Sequence, residues 1–317
     1  MSASTPSTAR LVLGGLKSLL PALPSTLGTG GSNNARYCHA VWLRHVRRAA
    51  DAGAQLARGH VVEIGPGDSL GVSIAALLTG ASRVTALDAI PHAASELNLT
   101  VARHLLDLIQ NREPIPDQSE FPHLKPFVAD LRFPTHALPH LPDVEALASI
   151  LEATLPTLRA LPGDLGAASP LRYLCPWRPD SIAASSADAI ISQATMEYFD
   201  DLTAAYATLA SWLTPGGVMS HQIDLSSHHL TPTWDGHWSI SRPLWALIKG
   251  KRPFFPNRAP LSDHLRAIKR ANLDLVALTR YEAPPTRPRS RLAPPFCRLS
   301  LDDRMTRGAW ILAQKPR

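Results

Sequence analysis

Short runs of β-branched and apolar residues alternate along this chain with stretches whose apolar positions recur three or four residues apart. Between Arg36 and Ala52, Val41, Leu43, Val46 and Ala50 are interleaved with Arg44, Arg47 and Arg48, the spacing of an amphipathic helix leading into a core. His60 to Ile64 then reads as a buried strand, stopped by Gly65, Pro66 and Gly67. Asp68 or Ser69 is placed to cap a following helix with Leu70, Ile74, Leu77 and Leu78 on its apolar positions and Gly80 as its stop. A second strand, Arg83 to Leu87, ends in Asp88. Residues 91–110 read as a helix, and 111–170 as a proline-rich insertion holding one helix from Asp143 to Arg159. Two segments compete for the third strand, Lys125 to Val128 and Leu171 to Leu174; the second is preferred because it stands immediately before the fourth, Asp188 to Ser192. A helix with Leu202, Ala205, Tyr206, Leu209, Trp212 and Leu213 on one face is stopped by Pro215, Gly216 and Gly217, and Val218 to Ile223 is the fifth strand. Beyond an aromatic, histidine-rich region the pattern predicts a helix from Ser262 to Ala271 and strands from Leu273 to Thr279 and Gly308 to Gln314.

This alternation predicts an α/β fold, a doubly wound, mostly parallel sheet of seven strands with ligands at the carboxyl ends of the strands. Residues 36–317 form one domain carrying insertions at about 111–170 and 226–260, and residues 1–35 a flexible or peripheral segment. Composition narrows the class. Among 317 residues, 45% are hydrophobic and 18% charged, which excludes a disordered polyelectrolyte and a coiled coil. The greasiest stretch, Leu11 to Leu23, contains Lys17 and Pro21, so no membrane span is expected, and Lys17 also interrupts any signal-peptide core. The net charge of +6 is dispersed, its densest cluster (Arg280, Arg287, Arg289, Arg291) reads as a solvated loop, and a nucleic-acid partner is not expected. Cys38, Cys175 and Cys297 fit neither a disulfide framework nor a zinc site, so a reducing, cytoplasmic location and no metal are expected.

Chemistry concentrates at the glycine turn. Glycines after the first strand let a ligand approach the backbone, and an acid after the second strand, about 20 residues on, accepts hydrogen bonds from ribose hydroxyls. Asp88 stands there. Gly65, Gly67 and Gly71 are spaced GxGxxxG, whereas the dinucleotide fingerprint is GxGxxG; that departure counts against a nicotinamide-dependent oxidoreductase, which shares the turn and the acid and stays an alternative. A non-catalytic RNA-binding protein on the same fold is the other alternative, favoured only by the basic balance.

Taken together, Glu63-Ile64-Gly65-Pro66-Gly67, Asp88, Asp188 to Gln193 with Met196 and Glu197, and Leu213-Thr214-Pro215-Gly216-Gly217 resemble, in order, the motifs of class I S-adenosylmethionine-dependent methyltransferases. The resemblance covers about residues 36–317; Thr29 to Trp42 and Ser220 to Trp238 are similar to a bacterial subgroup linked to glycan assembly. It implies S-adenosylmethionine as cofactor, held by Glu63, Gly65, Pro66, Gly67, Ser69, Asp88 and Gln193, and a small-molecule or glycan acceptor. Glu197-Tyr198 stands where relatives often read Glu-His, and the strand-four end Ser192-Gln193-Ala194 lacks the motif of enzymes that methylate base amines.

Methyl transfer from a sulfonium needs alignment above all, and a base only where the acceptor keeps its proton. Strand five ends in Asp224, four residues before His228, so His228 is the candidate base and Asp224 the group that orients it. His221 reads as a core residue. Trp234, His237 and Trp238 are the candidate acceptor contacts, part of an aromatic lid that runs on through Trp245 to Phe254 and Phe255. Glu197 binds acceptor or caps the helix after it, and Trp177 flanks an adenine or belongs to the core.

Overall fold

The computed structural model describes residues 5–19, 31–93, 95–138, 141–159, 169–252 and 254–317. Parts of the 1–35 segment, of the 111–170 insertion and of the Thr29 to Trp42 resemblance lie outside the described residues. The elements are α1 (Thr8–Lys17), α2 (Ala35–Asp51), β1 (His60–Ile64), α3 (Gly71–Leu78), β2 (Arg83–Leu87), α4 (Ser95–Gln110), α5 (Val144–Arg159), β3 (Leu171–Leu174), β4 (Ala187–Gln193), α6 (Leu202–Trp212), β5 (Leu213–Asp224), α7 (Arg242–Lys249), α8 (Leu261–Arg270), β6 (Asp274–Glu282), α9 (Leu301–Met305) and β7 (Thr306–Gln314).

The seven strands form one sheet in the order β3-β2-β1-β4-β5-β7-β6, parallel from β3 through β5, with β7 antiparallel to both its neighbours. This is the doubly wound, Rossmann-like architecture expected. The order of strand addition reverses between the parallel neighbours β1 and β4, and the crevice at their carboxyl ends is where such sheets bind ligands. Alternate residues of each strand enter opposite cores. Val61, Ala189, Ile191, Val218, Trp310 and Leu312 face α2 to α5, while Val62, Ile64, Ile190, Met219, Ile311 and Ala313 face α6 and α8. A strand covered on both faces reads as a short, mostly apolar run, which is why β1, with Val61, Val62 and Ile64, and β4, with Ala189, Ile190 and Ile191, were legible.

Leu171–Leu174 pairs with β2 as preferred. The competing segment 125–128 is no strand: Arg48 of α2 donates to its Pro126 O and Phe127 O at 2.9 and 2.7 Å, and Arg44 to the preceding Leu124 O at 3.1 Å. The arginines that look solvent-facing on a helical wheel therefore hold the insertion down, and Arg44 and Arg47 are buried. β5 begins earlier than expected, since Leu213 pairs with Ala187 and the Gly216–Gly217 turn is bonded to Lys315. α3 begins at Gly71 without a side-chain cap on its flanking Leu70; Asn98 Oδ1 accepts the Leu70 N–H at 2.6 Å and Ser69 Oγ the Gly71 N–H at 3.2 Å. A Cβ on Gly71 would sit 2.5 Å from Cys38 Sγ, so the third glycine of the spacing serves helix packing. α1 packs on α7 around Leu11, Trp245, Ile248 and Phe255, as a peripheral helix.

Candidate active site

The turn after β1 is built as a cradle. Gly65 and Gly67 have φ of 73° and 79°, a region that disfavours any side chain, and a Cβ on Gly65 would lie 2.6 Å from Thr195 Oγ1 at the end of β4. The turn is braced from outside. Ser32 Oγ donates to Pro66 O at 2.5 Å and accepts the Ser69 N–H at 3.0 Å, while Asp68 Oδ2 accepts the Gly31 N–H at 3.0 Å. Ser69 turns its hydroxyl inward to Ser32 O, so it anchors this brace and is not presented to a ligand.

Asp88 leaves β2 beside the turn. Its Oδ1 accepts the Ala89 N–H at 2.8 Å, which leaves lone pairs on the carboxylate for other donors. Burial pushes this carboxyl above its ordinary range, against the pull of the Ala89, Ile90 and Gly67 amides and of His92. Glu63, fully enclosed in β1, accepts a hydrogen bond from Ser73 of α3, and burial raises its carboxyl to about 7. A folded chain that keeps this proton up to about pH 7, when the ordinary value is 4.5, binds more protons than the unfolded chain in between. Stability therefore falls as pH rises through that window. Glu63→Gln, which keeps an acceptor for Ser73, is expected to match the wild type below the lower limit and to exceed it above the upper one by up to roughly 3 kcal/mol. Urea unfolding at both ends measures this, and a difference that does not change with pH contradicts it.

Across the crevice, Phe254 lies 5.6 Å from the His92 ring, just after β2, and 6.2 Å from the Tyr198 ring, just after β4. The lid segment thus reaches over the strand ends through Phe254. Trp177 packs against Trp212 and Phe199 at 5.6 and 6.0 Å, at the edge of the α6-side core. Gln193 does not join the glycine turn. Its Nε2 donates to Gln222 Oε1 at 2.7 Å, and both residues border a small recess next to Lys125.

Beyond β5 opens a cavity of about 670 Å³ lined by Gln222, Asp224, His228, Trp234, Lys125, Tyr281 and Arg307 among others. His228 and His229 are both left-handed, with φ of 47° and 60°, a conformation uncommon for residues other than glycine. His228 Nδ1 is 3.3 Å from the Tyr198 hydroxyl, and its Nε2 lies 3.4 Å from Asp224 O and 3.9 Å from Glu197 Oε1. The expected pairing with Asp224 thus runs through the Asp224 backbone. The Asp224 carboxylate accepts the Ser226 N–H at 2.9 Å, and the acid nearest the imidazole is Glu197. Glu197 does not cap α6, whose first-turn N–H is accepted by Asp201. It lies in a short 3-10 turn, buried, with Oε1 accepting the Asp224 N–H at 3.4 Å and Oε2 without a hydrogen-bond partner among the described residues. Burial, then the charge of Asp224, raises its carboxyl well above the ordinary range. His221 is a core residue, as read, bonded to Ser192 Oγ at 2.7 Å.

Of the three proposed acceptor contacts only Trp234 lines the cavity. His237 and Trp238 are each 1% exposed, because the Gly236–Ser239 segment is a 3-10 turn folded inward onto Phe296 and Leu292. Among the described residues no three His, Cys, Asp or Glu side chains gather as a metal set, and no helix is long and apolar enough to cross a membrane. Sequence reading missed Ser32, Ser73, Lys125, Tyr281 and Arg307. Each reaches the site only through tertiary folding and stands in no local motif.

No family model and no curated protein sequence matches the chain. Among solved structures it is similar to an S-adenosylmethionine-dependent methyltransferase from Methanosarcina mazei, at 12% identity, 81% of this chain, 92% of that one and a TM-score of 0.43. It is also similar to one from Mesorhizobium loti, at 16% identity, 86% and 98% coverage and a TM-score of 0.42. The geranyl diphosphate C-methyltransferase of Streptomyces coelicolor is similar at 12% identity, 87% and 80% coverage and a TM-score of 0.46. These likenesses are remote, and it is the chain's own residues that define the chemistry of the site.

Proposed function

We propose that this chain is an S-adenosylmethionine-dependent methyltransferase that acts on a hydroxyl of a small-molecule or glycan acceptor. The observation that carries this reading is the juxtaposition of the Asp88 carboxylate with the Gly65-Pro66-Gly67 turn, whose two glycines carry no side chain, at the sheet's crevice. Asp88 would accept the ribose hydroxyls, and Gly65, Pro66 and Gly67 would let the backbone close on the methionine part. Glu63 would brace α3 beneath them through Ser73. When bound, the cofactor supplies a methyl group already activated by the sulfonium. The chain then has to orient an acceptor and take its proton. His228 suits the proton transfer, because its imidazole stands at the cavity wall between the Tyr198 hydroxyl, at Nδ1, and the buried Glu197 carboxyl, near Nε2. Gln193 belongs to the acceptor side of the site. Three unpaired cysteines suit the cytoplasmic setting expected from composition.

Parallel calorimetric titrations with S-adenosylhomocysteine and with NAD test the cofactor. Binding of the first alone is expected, and binding of NAD alone would replace this reading by an oxidoreductase. For the base, His228→Ala is expected to lower turnover by about 100-fold while the S-adenosylhomocysteine Kd stays within about twofold. Unchanged turnover removes His228 from the chemistry.

A further inference from the structure

Two cations from distant parts of the chain meet at one tyrosine on the cavity wall. Lys125, from the insertion after α4, donates through Nζ to the Tyr281 hydroxyl at 2.6 Å and lies 4.2 Å from the ring centroid. Arg307, at the start of β7, holds its guanidinium 5.8 Å from the same centroid. All three line the cavity that contains His228. Among the described residues neither cation makes an ion pair, although Arg280, next to Tyr281 in β6, pairs with Asp302. The one carboxylate on the described wall, Asp224, is turned to the Ser226 N–H.

Lys125 is also held in place. Arg44 and Arg48 of α2 clamp the carbonyls on both sides of it, at Leu124 and Pro126. Two positive charges on a cavity wall whose one described acid, Asp224, is paired with neither of them create a potential that an anion relieves. A carboxylate is satisfied by the guanidinium fork alone. A lysine, an arginine and surrounding hydroxyl donors match a group with three terminal oxygens and up to two charges.

We propose that the methyl acceptor carries a phosphate-type oxyanion seated between Lys125 and Arg307, so that its hydroxyl is delivered to His228. This rests on the methyltransferase reading of the site. The test is calorimetry on the full chain saturated with S-adenosylhomocysteine, titrated with inorganic pyrophosphate, inorganic phosphate and acetate. The wild type is expected to bind pyrophosphate and phosphate in preference to acetate, with affinity falling as salt rises. Lys125→Met and Arg307→Gln are each expected to weaken pyrophosphate by about tenfold, and the double variant by more. S-adenosylhomocysteine affinity in the same samples is expected to stay at the wild-type value, reporting that each variant is folded and its cradle intact. Retained S-adenosylhomocysteine binding with no pyrophosphate binding, or variants that bind pyrophosphate as the wild type does, would overturn the proposal. Acetate binding as tight as pyrophosphate would overturn the phosphate assignment. Loss of S-adenosylhomocysteine binding in the wild type itself would instead overturn the methyltransferase reading, and the acceptor proposal with it.

Discussion

Asp88→Ala is expected to weaken S-adenosylhomocysteine binding by about two orders of magnitude and to leave the thermal midpoint near the wild-type value. Two ribose hydroxyls donating to one carboxylate make charge-assisted hydrogen bonds, and losing about 1.5 kcal/mol from each gives about 100-fold in Kd. The fold has little to lose by comparison, because burial already works against this carboxylate, while the β2 and β3 ends stay joined by the backbone bond from Trp177 N–H to Asp88 O at 3.1 Å. Asp88→Asn keeps an acceptor without the charge and is expected to fall in between. Calorimetry for affinity and a thermal scan for stability separate the two effects. An alanine variant that binds within twofold of wild type removes Asp88 from the cofactor site.

Trp238→Ala carries the largest expected cost in stability, about 3 to 5 kcal/mol, the usual range for deleting a buried aromatic side chain. Its indole is 1% exposed, donates through Nε1 to Arg258 O at 3.0 Å and stacks on Phe296 at 6.3 Å between centroids. The Arg258 guanidinium lies over Trp245 and Phe296, at 4.5 and 4.8 Å from their centroids, and donates to His237 O and Ile240 O at 3.2 and 2.6 Å. Removing the indole therefore leaves a cavity inside a packed, hydrogen-bonded unit. Trp234→Ala tests the contrast, since that ring borders the cavity and its Nε1 bonds Pro284 O at an exposed position. Its expected signature is a raised KM for the acceptor with a much smaller loss of stability. If Trp238→Ala unfolds within about 1 kcal/mol of wild type in urea, the buried assignment of the aromatic turn fails.

The contrast between these two tryptophans shows where sequence reading reaches its limit. Strands β1, β2 and β4 were legible because burial on both faces leaves a short, mostly apolar run, β5 because the Pro215-Gly216-Gly217 turn precedes it, and Asp88 as the acid that ends β2 at a fixed distance from the glycines. Trp234, His237 and Trp238 stand in a segment with neither helical nor strand period, so nothing local distinguishes the ring at the cavity from the one sealed beneath it. Ser69 looked like a helix cap and possible ligand contact, but its hydroxyl is engaged by Ser32, a partner 37 residues away. Gln193 followed the motif order to the cofactor, yet its amide turns across the sheet to Gln222. The acid beside His228 proved to be Glu197, which reaches it across the strand ends and not through the local Asp224 spacing. Lys125, Tyr281 and Arg307 show no signal in sequence, because three unrelated segments supply them.

The most direct measurement is a crystal structure of the chain with S-adenosylhomocysteine. The result expected is a nucleoside whose two ribose hydroxyls lie within hydrogen-bonding distance of the Asp88 carboxylate, its homocysteine part running over Gly65–Gly67. A ligand seated elsewhere on the molecule, or crystals grown at saturating ligand with that crevice empty, would contradict it.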